Sequence, residues 1–158
     1  MITATPAPKV KNTRLLVIVY AYALLVSVMA LAQLMSFEEF IVVNASYLNI
    51  DQSDPWAAIA TIRFIGIGVF AIPFLLRLPL SPLARWFSAL FALTLPFFWL
   101  FTMGQAMLRG FSVANVGFFG DFLTQPLGWL TVFEGIALAT LGVVSFLILR
   151  GPKAFRFQ

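Results

Sequence analysis

The sequence predicts an all-α fold: a four-helix bundle integral to a membrane, with both termini cytoplasmic and a partly ordered outer connection over 37–55. Three observations predict it. Of 158 residues, 61% are hydrophobic and only 10% charged. Four segments are apolar over the roughly 20 residues that a spanning helix needs. The basic residues gather at the termini and at one short connection. A soluble domain carries about 45–50% apolar and about 25% charged residues. No soluble fold of this length hides so much apolar surface, so a water-soluble enzyme is excluded.

The single membrane domain, 1–158, holds spans at about 14–36, 55–77, 82–108 and 126–150. The first, Arg14 to Ser36, has too long an apolar run for a cleavable signal peptide and is expected to stay in the mature protein. The second opens on Asp54-Pro55, a capping carboxylate followed by a proline at the first helical position. Ser81-Pro82 repeats that start for the third span, and Gln125-Pro126 is a weaker version for the fourth. Arg150-Gly151-Pro152 closes the fourth span with a cation, a glycine and a proline. Pro73 and Pro96 lie inside spans, where each should kink its helix or be covered by a neighbour.

Charge placement sets the expected orientation. Lys9, Lys11, Arg14, Arg77, Arg85, Arg150, Lys153 and Arg156 fall on one side if both termini are inside. Glu38, Glu39, Asp51, Asp54 and Asp121 fall on the other, with Arg109. This is a positive-inside pattern; the expected location is the cell's inner (plasma) membrane. The net charge of +4 is scattered over the termini and a turn, so the expected partners are membrane lipids and other membrane subunits, not nucleic acid. Residues 37–55 are too polar to span and too apolar for a free loop, which predicts an interfacial helix or packed flap. Asn44-Ala45-Ser46 matches a glycosylation sequon, and the match is read as accidental.

Two charges fall inside the spans. Arg63 lies about 10 Å beyond Trp56, and Glu134 about 12 Å beyond Pro126 from the same side. Each is costly facing lipid, so an Arg63–Glu134 ion pair inside the bundle is expected. It would act as a staple of helix register or as the floor of an outward cavity. Gly128, Thr131, Gly135, Ala139 and Gly142 form a small-residue face on the fourth helix. Such faces let helices approach closely, within the bundle or against another subunit. The runs Pro96-Phe97-Phe98-Trp99 and Gly117-Phe118-Phe119-Gly120 are dense in aromatics. They serve as core or lipid-facing surface, with a quinone, carotenoid or chlorin ring as the functional alternative. Gln33, Thr94, Thr102 and Gln105 are expected to bond across helices.

Catalysis has little to draw on. With no His and no Cys there is no disulfide, thiolate nucleophile, Cys/His zinc site, His-ligated haem or Ser-His-Asp triad. Glu134 has no second carboxylate in its span, and a metal site would need Asp51, Asp54 and Asp121 to converge. No catalytic residue, no metal and no intrinsic cofactor is expected.

The order and spacing of the spans, the outer connection starting at Phe37-Glu38-Glu39-Phe40, and the segment from Arg109-Gly110 to Pro126-Leu127-Gly128-Trp129 resemble the DoxX-like superfamily of small four-helix membrane proteins, including its MauE branch. The resemblance covers residues 14–148. Where MauE relatives carry Cys-Gly-Cys-Phe-Gly, this chain has Val116-Gly117-Phe118-Phe119-Gly120, so thiol redox chemistry does not carry over. Ile62-Arg63-Phe64-Ile65-Gly66 and Glu134 are similar to a branch with Arg in its second span and Glu in its fourth. Some members of the superfamily are subunits of membrane oxidoreductases such as thiosulfate:quinone oxidoreductase. The resemblance implies a helper in a redox or energy-transducing membrane complex. The leading expectation is a non-catalytic subunit that scaffolds or completes such a complex, respiratory or photosynthetic. The alternative is a binding module or carrier for a quinone, lipid or other amphiphile in an outward cavity over Arg63 and Glu134.

Overall fold

Two proline-marked starts organise the helices. The computed structural model describes residues 13–111, 113–119 and 122–150. Five helices occur among them: α1 (Thr13–Met35), α2 (Phe37–Leu48), α3 (Pro55–Leu75), α4 (Pro82–Leu108) and α5 (Trp129–Arg150). Asp54 Oδ1 accepts from Trp56 N at 2.9 Å, and Ser81 Oγ accepts from Ala84 N at 3.3 Å. With Pro55 and Pro82 in their first turns, α3 and α4 begin where the sequence predicts. Lys9, Lys11, Gly120, Asp121, Gly151, Pro152, Lys153 and Arg156 lie outside the described residues.

Two boundaries move. Helix α3 stops at Leu75 rather than Arg77. Arg77 takes a left-handed backbone (φ 59°), and Leu78 N donates back to Pro73 O at 2.9 Å. These bonds satisfy carbonyls that the helix end would otherwise leave open. Helix α5 starts at Trp129, not at Pro126. The chain before it is held by long-range backbone bonds, Val116 N to Gln125 O and Leu127 N to Val113 O, both 2.8 Å. Thr131 Oγ1 then accepts from Gly128 N at 3.0 Å, closing the first turn.

Four helices, α1, α3, α4 and α5, are long and apolar enough to cross a membrane. They form a ring. Helix α1 packs on α3 and α5, α4 packs on the same two, and α3 and α5 stand on the diagonal. Helix α2 packs mainly on α3. It follows α1 after a break at Ser36 and presents Phe40, Val43, Asn44 and Tyr47 inward, the 3–4 spacing of a helix face. The α2 part of the 37–55 connection is therefore built into the core, with Phe40 fully buried, while 48–55 stays at the surface.

Trp99, 1% exposed, anchors that end of the bundle. Its ring lies 4.7 Å from Phe64, 5.2 Å from Phe118, 5.9 Å from Phe40 and 6.4 Å from Tyr47, so α2, α3, α4 and the 109–128 connection meet on one side chain. Gly117, in a positive-φ conformation (76°), lets the connection lie against α2, because a Cβ there would come within 2.8 Å of the Phe40 ring.

Both internal prolines are covered by neighbouring helices. Pro96 cannot donate to Ala92 O, and the Tyr22 hydroxyl of α1 donates to that carbonyl instead, at 3.0 Å. One residue past Pro73, Ser88 Oγ of α4 sits inside an opened turn of α3. It accepts from Phe74 N at 3.0 Å and donates to Phe70 O at 2.6 Å.

Candidate functional site: two charges on opposite seams

Arg63 and Glu134 are both described, and they do not meet. Each has a different partner. The Arg63 guanidinium lies 5.8 Å from the centroid of the Phe98 ring of α4, a cation–π contact. The Glu134 carboxylate accepts from Gln125 Nε2 at 3.4 Å. The expected ion pair inside the bundle does not form, because α3 and α5 are diagonal. The rotation of α3 shows the same thing. Its buried residues Ala57, Thr61, Phe64, Ile65, Gly68 and Ala71 define one face, and Arg63 lies off that face and is exposed.

The two charges nevertheless sit at similar depth. Phe64, next to Arg63, packs on Phe98 and Trp99. Gly135, next to Glu134, faces Leu100 and Met103. The difference is about three residues along α4, or roughly 5 Å at 1.5 Å per residue.

Glu134 lines a pocket of about 290 Å³ between α1 and α5. Leu25 and Met29 of α1, Leu138 and Leu141 of α5, and Phe118 and Leu123 of the 109–128 connection supply most of its wall. Glu134 and Gln125 are its polar side chains. Gln125 Oε1 is buried with no hydrogen-bond donor. The site thus offers oxygen acceptors in an apolar setting, with one long bond to the Glu134 carboxylate and no donor for Gln125 Oε1. An occupant carrying N–H or O–H groups fits that chemistry.

The small-residue face is used inside the bundle. A Cβ on Gly135 would come within 2.6 Å of Met103 Cε, and one on Gly142 within 3.0 Å of Pro96 Cγ and 3.1 Å of the Tyr22 hydroxyl oxygen. Thr131 and Ala139 are buried, whereas Gly128 has open space around it. Of the polar residues in the spans, Gln33 Nε2 donates to Gly117 O (2.9 Å) and Phe118 O (3.2 Å), tying α1 to the 109–128 connection. Thr102 bonds within its own helix, to Phe98 O and Trp99 O.

Sequence reasoning missed the role of Asn44. It is 2% exposed and donates to Phe40 O and Thr61 Oγ1, both at 2.9 Å. A buried, bonded amide is no glycan acceptor. The signal was available: Asn44 falls in register with Phe40 and Tyr47 on the inward face of α2. Asp54 is a helix cap, and Asp51 accepts from Ser53 N and Oγ, bonds that hold its carboxyl below the ordinary range. Among the described residues no three carboxylates converge on a metal position. No family model, curated relative or solved structure matches the chain.

Proposed function

We propose that this chain is a non-catalytic multi-pass subunit of a larger membrane assembly, joined to its neighbours through charges in the spans. The observation that carries this is the placement of Arg63 and Glu134 on opposite seams, α3–α4 and α1–α5, at similar depth. A guanidinium with only an aromatic face beside it is costly in the hydrocarbon region. A neighbouring subunit that brings an acid to it removes that cost. The lipid-facing aromatics Phe97, Phe101, Trp129 and Phe133 would complete such contacts, because most of the small-residue face is occupied within the bundle. The DoxX-like resemblance points to a redox or energy-transducing assembly in an inner membrane, with the α2 side outward.

The pocket over Glu134 favours a second reading, an amphiphile-binding module whose ligand donates hydrogen bonds to Glu134 and Gln125. A quinol or an amine headgroup meets that condition better than a quinone, which only accepts. Purification in mild detergent tests both. The subunit reading expects a larger particle that Arg63→Gln disrupts. The binding reading expects a monomer that retains an extractable amphiphile and loses it on Glu134→Leu. A monomer without ligand overturns both.

A further inference from the structure

A subunit joined through its span charges needs a neighbour that supplies the opposite charge. Building on the subunit reading, we infer that the neighbour on each seam is a second copy of this chain, whose Arg63 enters the Glu134 pocket.

Three observations converge on that occupant. The first is chemical complementarity. The pocket presents the Glu134 carboxylate, with one long hydrogen bond, and Gln125 Oε1, with none. A guanidinium carries five donors and no acceptor, and it pairs with carboxylates bidentately. The second is level. Copies inserted in the same direction bring Arg63 and Glu134 to similar depth, and the remaining offset of about one helical turn is within reach of a long arginine side chain. An unrelated partner would need its own acid at that depth. The third is access. Arg63 is exposed on the α3–α4 seam, and Gly66, one turn further along, has open space where a side chain would stand. Another helix can approach closely there.

The seams lie on opposite sides of the ring, so the contact is head-to-tail. It buries Arg63 of one copy in the Glu134 pocket of the next and leaves each end copy with one free seam. Head-to-tail contacts propagate as a row unless a rotation closes them into a ring.

Disulfide trapping tests this directly, because the chain has no cysteine of its own. One copy carries Ile62→Cys, beside Arg63, and a second carries Ala137→Cys, which lines the Glu134 pocket. The two are co-expressed with different tags and oxidised in native membranes. The expected product is the mixed dimer, exceeding either symmetric dimer by about tenfold. A chain carrying both cysteines should give a ladder of longer products, since positions on diagonal helices cannot close within one copy. Arg63→Gln in the Ile62→Cys copy should reduce the mixed dimer about tenfold, and the melting temperature of the detergent-solubilised monomer should stay the same, which separates lost association from misfolding. Arg63→Glu combined with Glu134→Arg in one chain should restore the ladder.

Equal amounts of symmetric and mixed dimer, or no dimer at all, would overturn the inference. So would an amphiphile that fills the pocket while cross-linking proceeds undiminished, since the pocket cannot hold both it and a second copy's Arg63. If a different membrane protein stays bound through Arg63, the second copy is excluded and the subunit reading stands. If the chain remains single and alone, both fall.

Discussion

The interior of the bundle and its two charged seams treat polar groups in opposite ways. Tyr22, Gln33, Asn44 and Ser88 each bond a group on another element, and the Tyr22 bond takes up the carbonyl that Pro96 leaves without a donor. Arg63 and Glu134 have an aromatic face and one long amide bond. The interior groups are neutral, and one or two hydrogen bonds hold each of them. A charge needs a counter-charge, and the ring places the chain's two span charges where they cannot supply one to each other. The difference separates residues bonded within the fold from residues that, in the proposed function, meet a neighbouring subunit.

Four experiments sharpen that division. The largest effect is expected at the aromatic centre. Trp99→Ala removes the ring that joins α2, α3, α4 and the 109–128 connection, and should destabilise by about 3–5 kcal/mol in thermal unfolding in detergent. Next comes the repaired proline. Tyr22→Phe leaves Ala92 O without its donor and should cost about 1–2 kcal/mol. The same substitution in a Pro96→Ala background should cost much less, since residue 96 then donates to that carbonyl. Equal costs in the two backgrounds would refute the repair.

A smaller effect concerns pH. Burial raises the Tyr47 hydroxyl above its ordinary 10.0. The folded state therefore favours the neutral phenol. That contribution is complete below pH 10.0 and declines as pH rises above it. Tyr47→Phe should flatten the alkaline limb of a stability profile. The smallest effect falls on the seams. Arg63→Gln and Glu134→Gln should each change the stability of a detergent-solubilised monomer by less than about 0.5 kcal/mol. A large loss at either would make the seam charges part of the fold and erase the comparison.

Much of the fold is legible in the sequence because its signals are local. Asp54-Pro55 and Ser81-Pro82 carry both cap and first-turn residue in adjacent positions. The start of α5 is not local. It depends on Val113 and Val116 pairing with Leu127 and Gln125, and nothing beside Gln125-Pro126 announces those bonds. The two span charges were readable as residues and as depths. The pairing expected of them was not, because depth says nothing about rotation or about which helices are neighbours. The rotation was partly available. Ala57, Thr61, Gly68 and Ala71 are small residues on one face of α3, and Arg63 lies off it. The diagonal placement of α3 and α5 required the whole ring.

That ring order also bears on how the chain is made. Helices α3 and α4 follow one another across a short turn and are joined by Ser88, so they can settle as a hairpin as soon as both are inserted. Helix α5 closes the gap between α1 and α4, and it emerges only after the 109–128 connection. At ordinary translation speeds that delay is about one to four seconds. During it, Tyr22, Pro96, Leu100 and Met103, which later seat Gly135 and Gly142, lack their final neighbour. A nascent chain paused at that stage would be a three-walled bundle with one side open to the insertion machinery.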